Sequence, residues 1–426
     1  MLRPEDFDGV ADRMVEIYSR LENFILRDIT RRVMNAGKMT ATADRLIYKL
    51  EQMGESKQEI QKKLSELTGL SEKELRKLLQ DAVLTSWKDD AAIMSQLGIE
   101  ISSPLENKAY MRIIDAEYRK SLGELSNLTR TTMDAAQRDL ISLLDDAEIR
   151  VSSGVQSYNA AAADVLDAYA GRGIMVTYPS GTQRTLEAAV RCCVVTSMNQ
   201  TAAQLTNQYI VDGGIEYILT SAHIGARTRQ PGQPALAGHD SWQGRVYKIR
   251  GSDPDAPNLL ESTGYDIDPQ TGNGTVVDPL GLHGYNCRHS HQPWDKRLRN
   301  PWRDEKGNLI DGTGNEITDA ENRERYKNSQ KQRAMERAIR KTKRQLIVKQ
   351  EQINASSGEY RDILRAEYDA GAYWLTQQNK AYNDFCVNHD LQPQYERNKL
   401  AGFSSTQTKA ANKGAKRYQN AKMELS

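Results

Sequence analysis

Between residues 172 and 302 the helical spacing of apolar side chains that governs the rest of the chain breaks down. It gives way to short alternating runs joined by loops rich in Gly, Pro, Asp and Asn. A chain interrupted in this way cannot close as a helical bundle from end to end. Ile174–Tyr178, Ile215–Thr220 and Arg245–Ile249 read as strands. Leu186, Val190, Cys193, Val194, Met198, Ala202, Leu205 and Tyr209 keep helical phase and stop at Gly213-Gly214. The expected class is therefore α+β: a long N-terminal helical region, a small central α+β domain with Gly-rich loops, and charged C-terminal helices.

The flanks follow a different grammar. Phe7, Val10, Met14, Ile17, Leu21, Phe24, Ile25, Ile29 and Val33 recur at three- and four-residue spacing, which predicts an amphipathic helix ending near Gly37. Ser56/Glu59, Ser71/Glu74 and Ser103/Glu106 have the spacing of reciprocal N-terminal caps and predict three further helix starts, the last supported by Pro104 at the first helical position. From Leu105 to about Val151 the phase implies one long helix or a hairpin of two, and Val155–Tyr169 another helix closed by Gly171-Arg172-Gly173. Thr318 and Glu321 cap a final helical region.

These signals divide the chain into a helical region 1–171, a central domain 172–302, a hairpin or linker 303–317, a basic helical region 318–403 and a tail 404–426. The tail is polar and basic with almost nothing apolar, so disorder is expected there.

The 426 residues exceed what one core usually organises. Net charge is +1, so any polyanion must be held by a local patch rather than by bulk electrostatics. Such a patch exists between Arg323 and Lys349, where eleven basic residues face two acids, a local charge of +9. Arg333, Arg337, Arg340, Lys341, Lys343 and Arg344 are its candidates for sequence-blind contact with DNA phosphates; the alternative is an ordinary solvated helix face. The N-terminal residues lack the apolar core of a signal peptide, and no run is long and uncharged enough to span a bilayer. Four cysteines, two of them adjacent, form no disulfide framework.

Five of the six histidines, His223, His239, His283, His289 and His291, fall in the central block. Cys287, His289 and His291 are spaced by two, so an extended backbone turns all three to one face. Thiolate and imidazole are zinc donors, and His239 or His283 would complete a tetrahedron. The same residues also suit plain hydrogen-bonding props for irregular loops, with Cys287 simply buried. A Cys287–His nucleophile is the third alternative, but such a site is defined by spatial geometry rather than by spacing. No phosphate loop, serine elbow or paired-cysteine zinc knuckle is present. Arg227, Arg229, Arg245 and Arg288 are read as staples pairing with Asp240, Glu261 or Asp266, and Trp242, Tyr265, Trp294 and Trp302 as hydrophobic plugs of the small domain.

Taken in order, Ser221-Ala222-His223, Gly225-Ala226-Arg227, His239, Trp242-Gln243-Gly244, Thr263-Gly264-Tyr265, Gly281-Leu282 and Asn286-Cys287-Arg288-His289 resemble the signature of the phage minor capsid protein 2 family, a relative of the Mu F-like minor head proteins. The likeness is strongest from Thr177 to Trp294. Two segments depart from the pattern. The loop Gln230–Gly238 is longer, and Asp266–Pro279 is inserted between the Thr263-Gly264-Tyr265 and Gly281-Leu282 turns, setting them apart.

The resemblance implies a non-enzymatic structural protein of the virion, made in the host cytoplasm and built in few copies into the head interior or portal vertex. Portal protein, major capsid protein and packaged double-stranded DNA are the partners it implies, together with a role in assembly, packaging or ejection. No cofactor beyond the zinc alternative is expected. The competing class is a metal- or thiol-dependent hydrolase or phage-borne toxin working through the His/Cys block. Leu21, Phe24, Ile25 and Ile29 are the first candidates for a partner surface; packing within a bundle is the alternative for residues 1–170.

Overall fold

The computed structural model describes residues 1–39, 42–154, 156–178 and 180–424. In chain order the elements are α1 (Asp12–Ala36), α2 (Thr42–Gln96), α3 (Lys108–Ser152), α4 (Tyr158–Arg172), β1 (Met175–Thr177), β2 (Gln183–Thr185), α5 (Leu186–Asp212), β3 (Tyr217–Thr220), β4 (Val246–Lys248), α6 (Leu259–Thr263), β5 (Tyr265–Ile267), β6 (Gly274–Val276), β7 (His291–Trp294), α7 (Asp319–Ala355), α8 (Gly358–Asn388), α9 (Tyr395–Asn398) and α10 (Ser405–Glu424). The class is α+β, with small antiparallel sheets among long helices. No helix among the described residues is long and apolar enough to cross a membrane.

The chain divides into two compact units that do not follow sequence order. One comprises residues 1–11, 72–125 and 191–330, the other 12–71, 126–190 and 331–426.

The first unit holds the sheet β4-β3-β7, with β3 central and antiparallel to both neighbours. Ile218 pairs with Tyr247 on one side and Pro293 on the other. Proline has no N–H to give a ladder, which suits β7 to the edge it occupies. Ile218, Trp242, Tyr247, Leu259, Tyr265, Ile267, Leu282 and Cys287 form the core against α5 residues Ala203 and Ile210. A second cluster packs Met1, Leu219, Ala222, Trp302 and Ile317 together. The insertion between the two family turns is the hairpin β5–β6. It does not keep them apart: the Leu282 amide donates to the Thr263 carbonyl at 2.9 Å, so the turns meet.

The second unit is helical apart from the β1–β2 ribbon. Leu21, Ile25 and Ile29 are buried and Phe24 is half-buried, so the expected partner surface on α1 is internal packing instead. Ile339, Leu346, Ile353, Leu364, Tyr368, Leu375 and Tyr382 join α7 to α8 in one core, with Ala411 and Ala415 of α10. The tail expected to be disordered is therefore mostly helix. Its alanines and Gly414 seat α10 on α8, and Arg417 bonds Asp369 at 2.5 and 2.7 Å.

None of the three expected serine caps is a helix start. Ser56 and Ser71 lie inside the continuous α2, where Ser56 donates to the Asp28 carboxylate at 2.8 Å and Ser71 to the Thr68 carbonyl at 2.8 Å. A buried serine hydroxyl finds a partner within a helix as readily as at its end. Ser103 precedes only a turn, and α3 begins at Lys108. The Thr318/Glu321 box is real: each backbone amide is capped by the other's side chain, at 3.4 and 3.2 Å.

Candidate functional site

The site lies wholly in the first unit. Its floor is α5, whose buried Asn199 donates to the Cys287 carbonyl at 2.9 Å and the His289 carbonyl at 3.0 Å. Thr196 accepts the Asn286 amide at 3.2 Å. These bonds fix the extended segment before β7. Asn286 itself has φ 53° and His283 φ 58°, left-handed values that asparagine and histidine adopt more readily than most residues other than glycine. One wall is the single 3-10 turn His239–Ser241, docked by the His239 amide on the Arg227 carbonyl at 2.8 Å.

His239, Cys287 and His289 converge. The two Nδ1 atoms are 3.3 Å apart, and Cys287 Sγ is 3.9 Å from each. All three side chains are buried. His239 Nε2 lies 2.8 Å from the Leu280 carbonyl, and His289 Nε2 lies 3.1 Å from Gln243 Oε1. Gln243 Oε1 also accepts the His223 amide at 3.0 Å, which fixes the orientation of its side-chain amide. The His223 ring stacks on His289, centroids 4.5 Å apart, and Trp242 packs on both His239 and His289.

His283 does not join this trio. Its Nδ1 meets Asn199 Oδ1 at 2.9 Å and its Nε2 meets His291 Nδ1 at 2.8 Å, with Tyr265 packed on both rings. Extended backbone does turn Cys287 and His289 together, but His291 is drawn off to His283 at the start of β7. The candidates thus separate into a His239/Cys287/His289 group and a His283/His291 pair.

Burial sets the electrostatics of both. His239 is pushed down to about 3 by desolvation, aided by the Arg227 charge, and His291 to about 3 by desolvation. His283 and His289 are driven down for the same reason, and the Cys287 thiol is pushed up by its burial. At neutral pH the imidazoles are uncharged, and with nothing bound the thiol keeps its proton.

The arginines act as staples, but on backbone oxygens more than on the expected carboxylates. Arg227 donates to the Leu280 carbonyl at 3.2 Å and to the Tyr285 carbonyl at 2.6 Å, and Arg229 to the Gln233 carbonyl at 2.8 Å. Arg288 pairs with Asp8 at 2.8 Å, while Asp266 takes Arg250. Two glycines of the block are local necessities: Gly244 and Gly264 have φ of 63° and 71°, and Gly264 ends α6 in the left-handed cap.

Asn199, Thr196, Asn322 and the Leu280 carbonyl were not singled out by sequence. Asn322 holds the Gly225 and Ala226 amides at 2.8 and 2.9 Å. The available signal was Asn199 on the apolar face of a helix, a costly placement unless the amide has buried partners.

The basic run on α7 is divided: in its part within the second unit Arg340, Arg344 and Lys349 are buried, while Lys331, Arg337 and Lys341 stay exposed. Arg340 is buried, donating to Glu187 at 2.7 Å and to the Arg397 carbonyl. Arg344 is buried and donates to the Ala170 carbonyl at 3.0 Å. Lys343 donates to the Asn398 carbonyl at 2.6 Å and is pushed down to about 8 by its burial. Arg333 is half-buried, and Arg337 and Lys341 are exposed. On the same helix Ile339, Leu346, Ile347, Val348 and Ile353 are all buried.

No curated protein and no solved structure matches the chain. A model of the phage minor capsid protein 2 family, by contrast, matches residues 2–385, through both the helical regions and the histidine block, and the chain belongs to that family.

Proposed function

We propose that this phage minor capsid protein enters the head in few copies during assembly, at or near the portal vertex, by binding the portal or major capsid protein. The observation that supports it most is the extent of the family match, which takes in nearly the whole chain and not the histidine block alone. A structural rather than hydrolytic role for that block is supported by its burial. Cys287 is 1% exposed, with its thiol pushed up, whereas a cysteine nucleophile needs a lowered pKa and access for substrate. The full chain, tagged and co-expressed with the portal and major capsid proteins of its own genome, is expected to retain one of them stoichiometrically. Recovery of folded protein with neither would defeat the proposal.

Contact with packaged DNA is a narrower part of the reading. Of the six α7 candidates, Arg337 and Lys341 are exposed, and Arg340 and Arg344 are buried. Binding through so few phosphates is expected to be weak, with a shallow salt slope set by the small number of phosphates neutralised. The full chain should shift duplex DNA at low salt and release it at physiological salt, and R337E/K341E should reduce the shift. No shift at low salt removes DNA from the list of partners.

A further inference from the structure

We propose that His239, Cys287 and His289 form a binding site for one zinc ion, with His239 Nδ1, His289 Nδ1 and Cys287 Sγ as its donors. A peptide carbonyl only accepts hydrogen bonds, so His239 must carry its proton on Nε2 to bond Leu280 at 2.8 Å. The Gln243 amide is oriented by the His223 N–H, so its Oε1 likewise requires the His289 proton on Nε2, at 3.1 Å. Both Nδ1 atoms are then bare lone pairs, facing each other at 3.3 Å with no proton between them. The single Cys287 thiol proton can satisfy one of them and never both. Two lone pairs and a sulfur, shut away from water beside Trp242, are stabilised together by a cation that accepts all three, the thiol proton being released to solvent as the thiolate binds.

Distances favour zinc. With Zn–N of about 2.0–2.1 Å and Zn–S of about 2.3 Å, a tetrahedral ion separates two nitrogens by about 3.3 Å and nitrogen from sulfur by about 3.6 Å. The observed 3.3 and 3.9 Å need only a slight movement of Sγ. Each histidine already donates its remote N–H to a fixed oxygen, the outer-shell arrangement that orients metal-binding imidazoles. A thiolate and two imidazoles also select zinc over magnesium or calcium, which take oxygen ligands. The trio supplies three of the four tetrahedral ligands. Zinc would tie the loop after Arg227 to the segment before β7, replacing a disulfide as the cross-link of a domain whose thiols are all free.

The test uses the full chain. Purified protein is expected to contain about one zinc per chain by elemental analysis, and chelation followed by Co(II) should give a tetrahedral d–d spectrum with a thiolate charge-transfer band. C287A and H239A should lose the metal, while C386A, a buried thiol in the other unit, should keep it. Folded wild-type protein that takes up neither zinc nor cobalt overturns the proposal, as does a cobalt spectrum without the thiolate band. Because that band is read on the wild type, the result stands even if the variants fail to fold. Metal retained by folded C287A overturns it equally. Zinc uptake is independent of portal or capsid binding, so failure of one reading leaves the other intact.

Discussion

Gly281→Ala is expected to cost about 2–6 kcal/mol, a large loss for one added methyl. A Cβ at Gly281 would overlap the Thr263 carbonyl oxygen, a backbone atom that cannot swing aside as a side-chain tip can. Relieving the overlap means separating the two turns. That breaks the 2.9 Å bond from the Leu282 amide to the same carbonyl and leaves a buried N–H without a partner, a loss of about 1–3 kcal/mol added to about 1–3 kcal/mol of overpacking. It also shifts Leu280, whose carbonyl orients His239. Denaturant unfolding followed by tryptophan fluorescence, to which the buried Trp242 contributes, reads the loss. Gly54→Ala is the control: an exposed mid-helix glycine with open space at its Cβ, expected to gain up to about 1 kcal/mol. Wild-type stability in G281A would mean that the contact between the turns does not matter.

In the second unit, Asp28→Ala is expected to cost about 3 kcal/mol or more. Asp28 and Arg32 lie one turn apart on α1 with side chains 1% and 3% exposed, joined at 2.8 and 3.0 Å, and Ser56 of α2 donates to the same carboxylate. Removing the acid leaves a guanidinium buried without its main counter-charge, the costly way to break such a pair. Asp28→Ala/Arg32→Met should therefore recover part of what Asp28→Ala loses. Burial alone would raise the Asp28 carboxyl; the Arg32 bond and charge, with Ser56, outweigh it and hold the group below the usual carboxylate range. Its folded pKa is thus below its unfolded one. The carboxylate contributes stability at pH above the unfolded value, near 3.8, and that contribution disappears as pH falls through the folded value. Wild type should lose stability toward acid more steeply than D28A. Parallel acid limbs would show that the pair contributes nothing.

How much of this was visible in the sequence depends on range. Local signals held: the α1 periodicity, the Thr318/Glu321 box, the short strands at residues 217 and 246, and the two-residue spacing that brings Cys287 beside His289. Ser56 and Ser71 misled because a Ser-x-x-Glu spacing describes a cap only when the chain before it is not already helical. The tail misled because three small residues, Ala411, Gly414 and Ala415, were enough to seat a helix whose composition promised none. The sorting of five histidines into a trio and a pair was not legible. It depends on Asn199 and Gln243, which choose partners across the fold and not along the chain.

The strand order β4-β3-β7 also imposes a timetable. On a ribosome adding about 5–20 residues per second, the β3–β4 hairpin emerges early, but its other flank waits for residue 294. The last two members of the histidine–cysteine trio, Cys287 and His289, leave the tunnel immediately ahead of that closing strand. Completion of the sheet and completion of the trio are therefore one late, non-local event, slow for the reason that any long-range pairing is slow. Until it happens, a nascent chain exposes two edge-forming strands and a reduced thiol together.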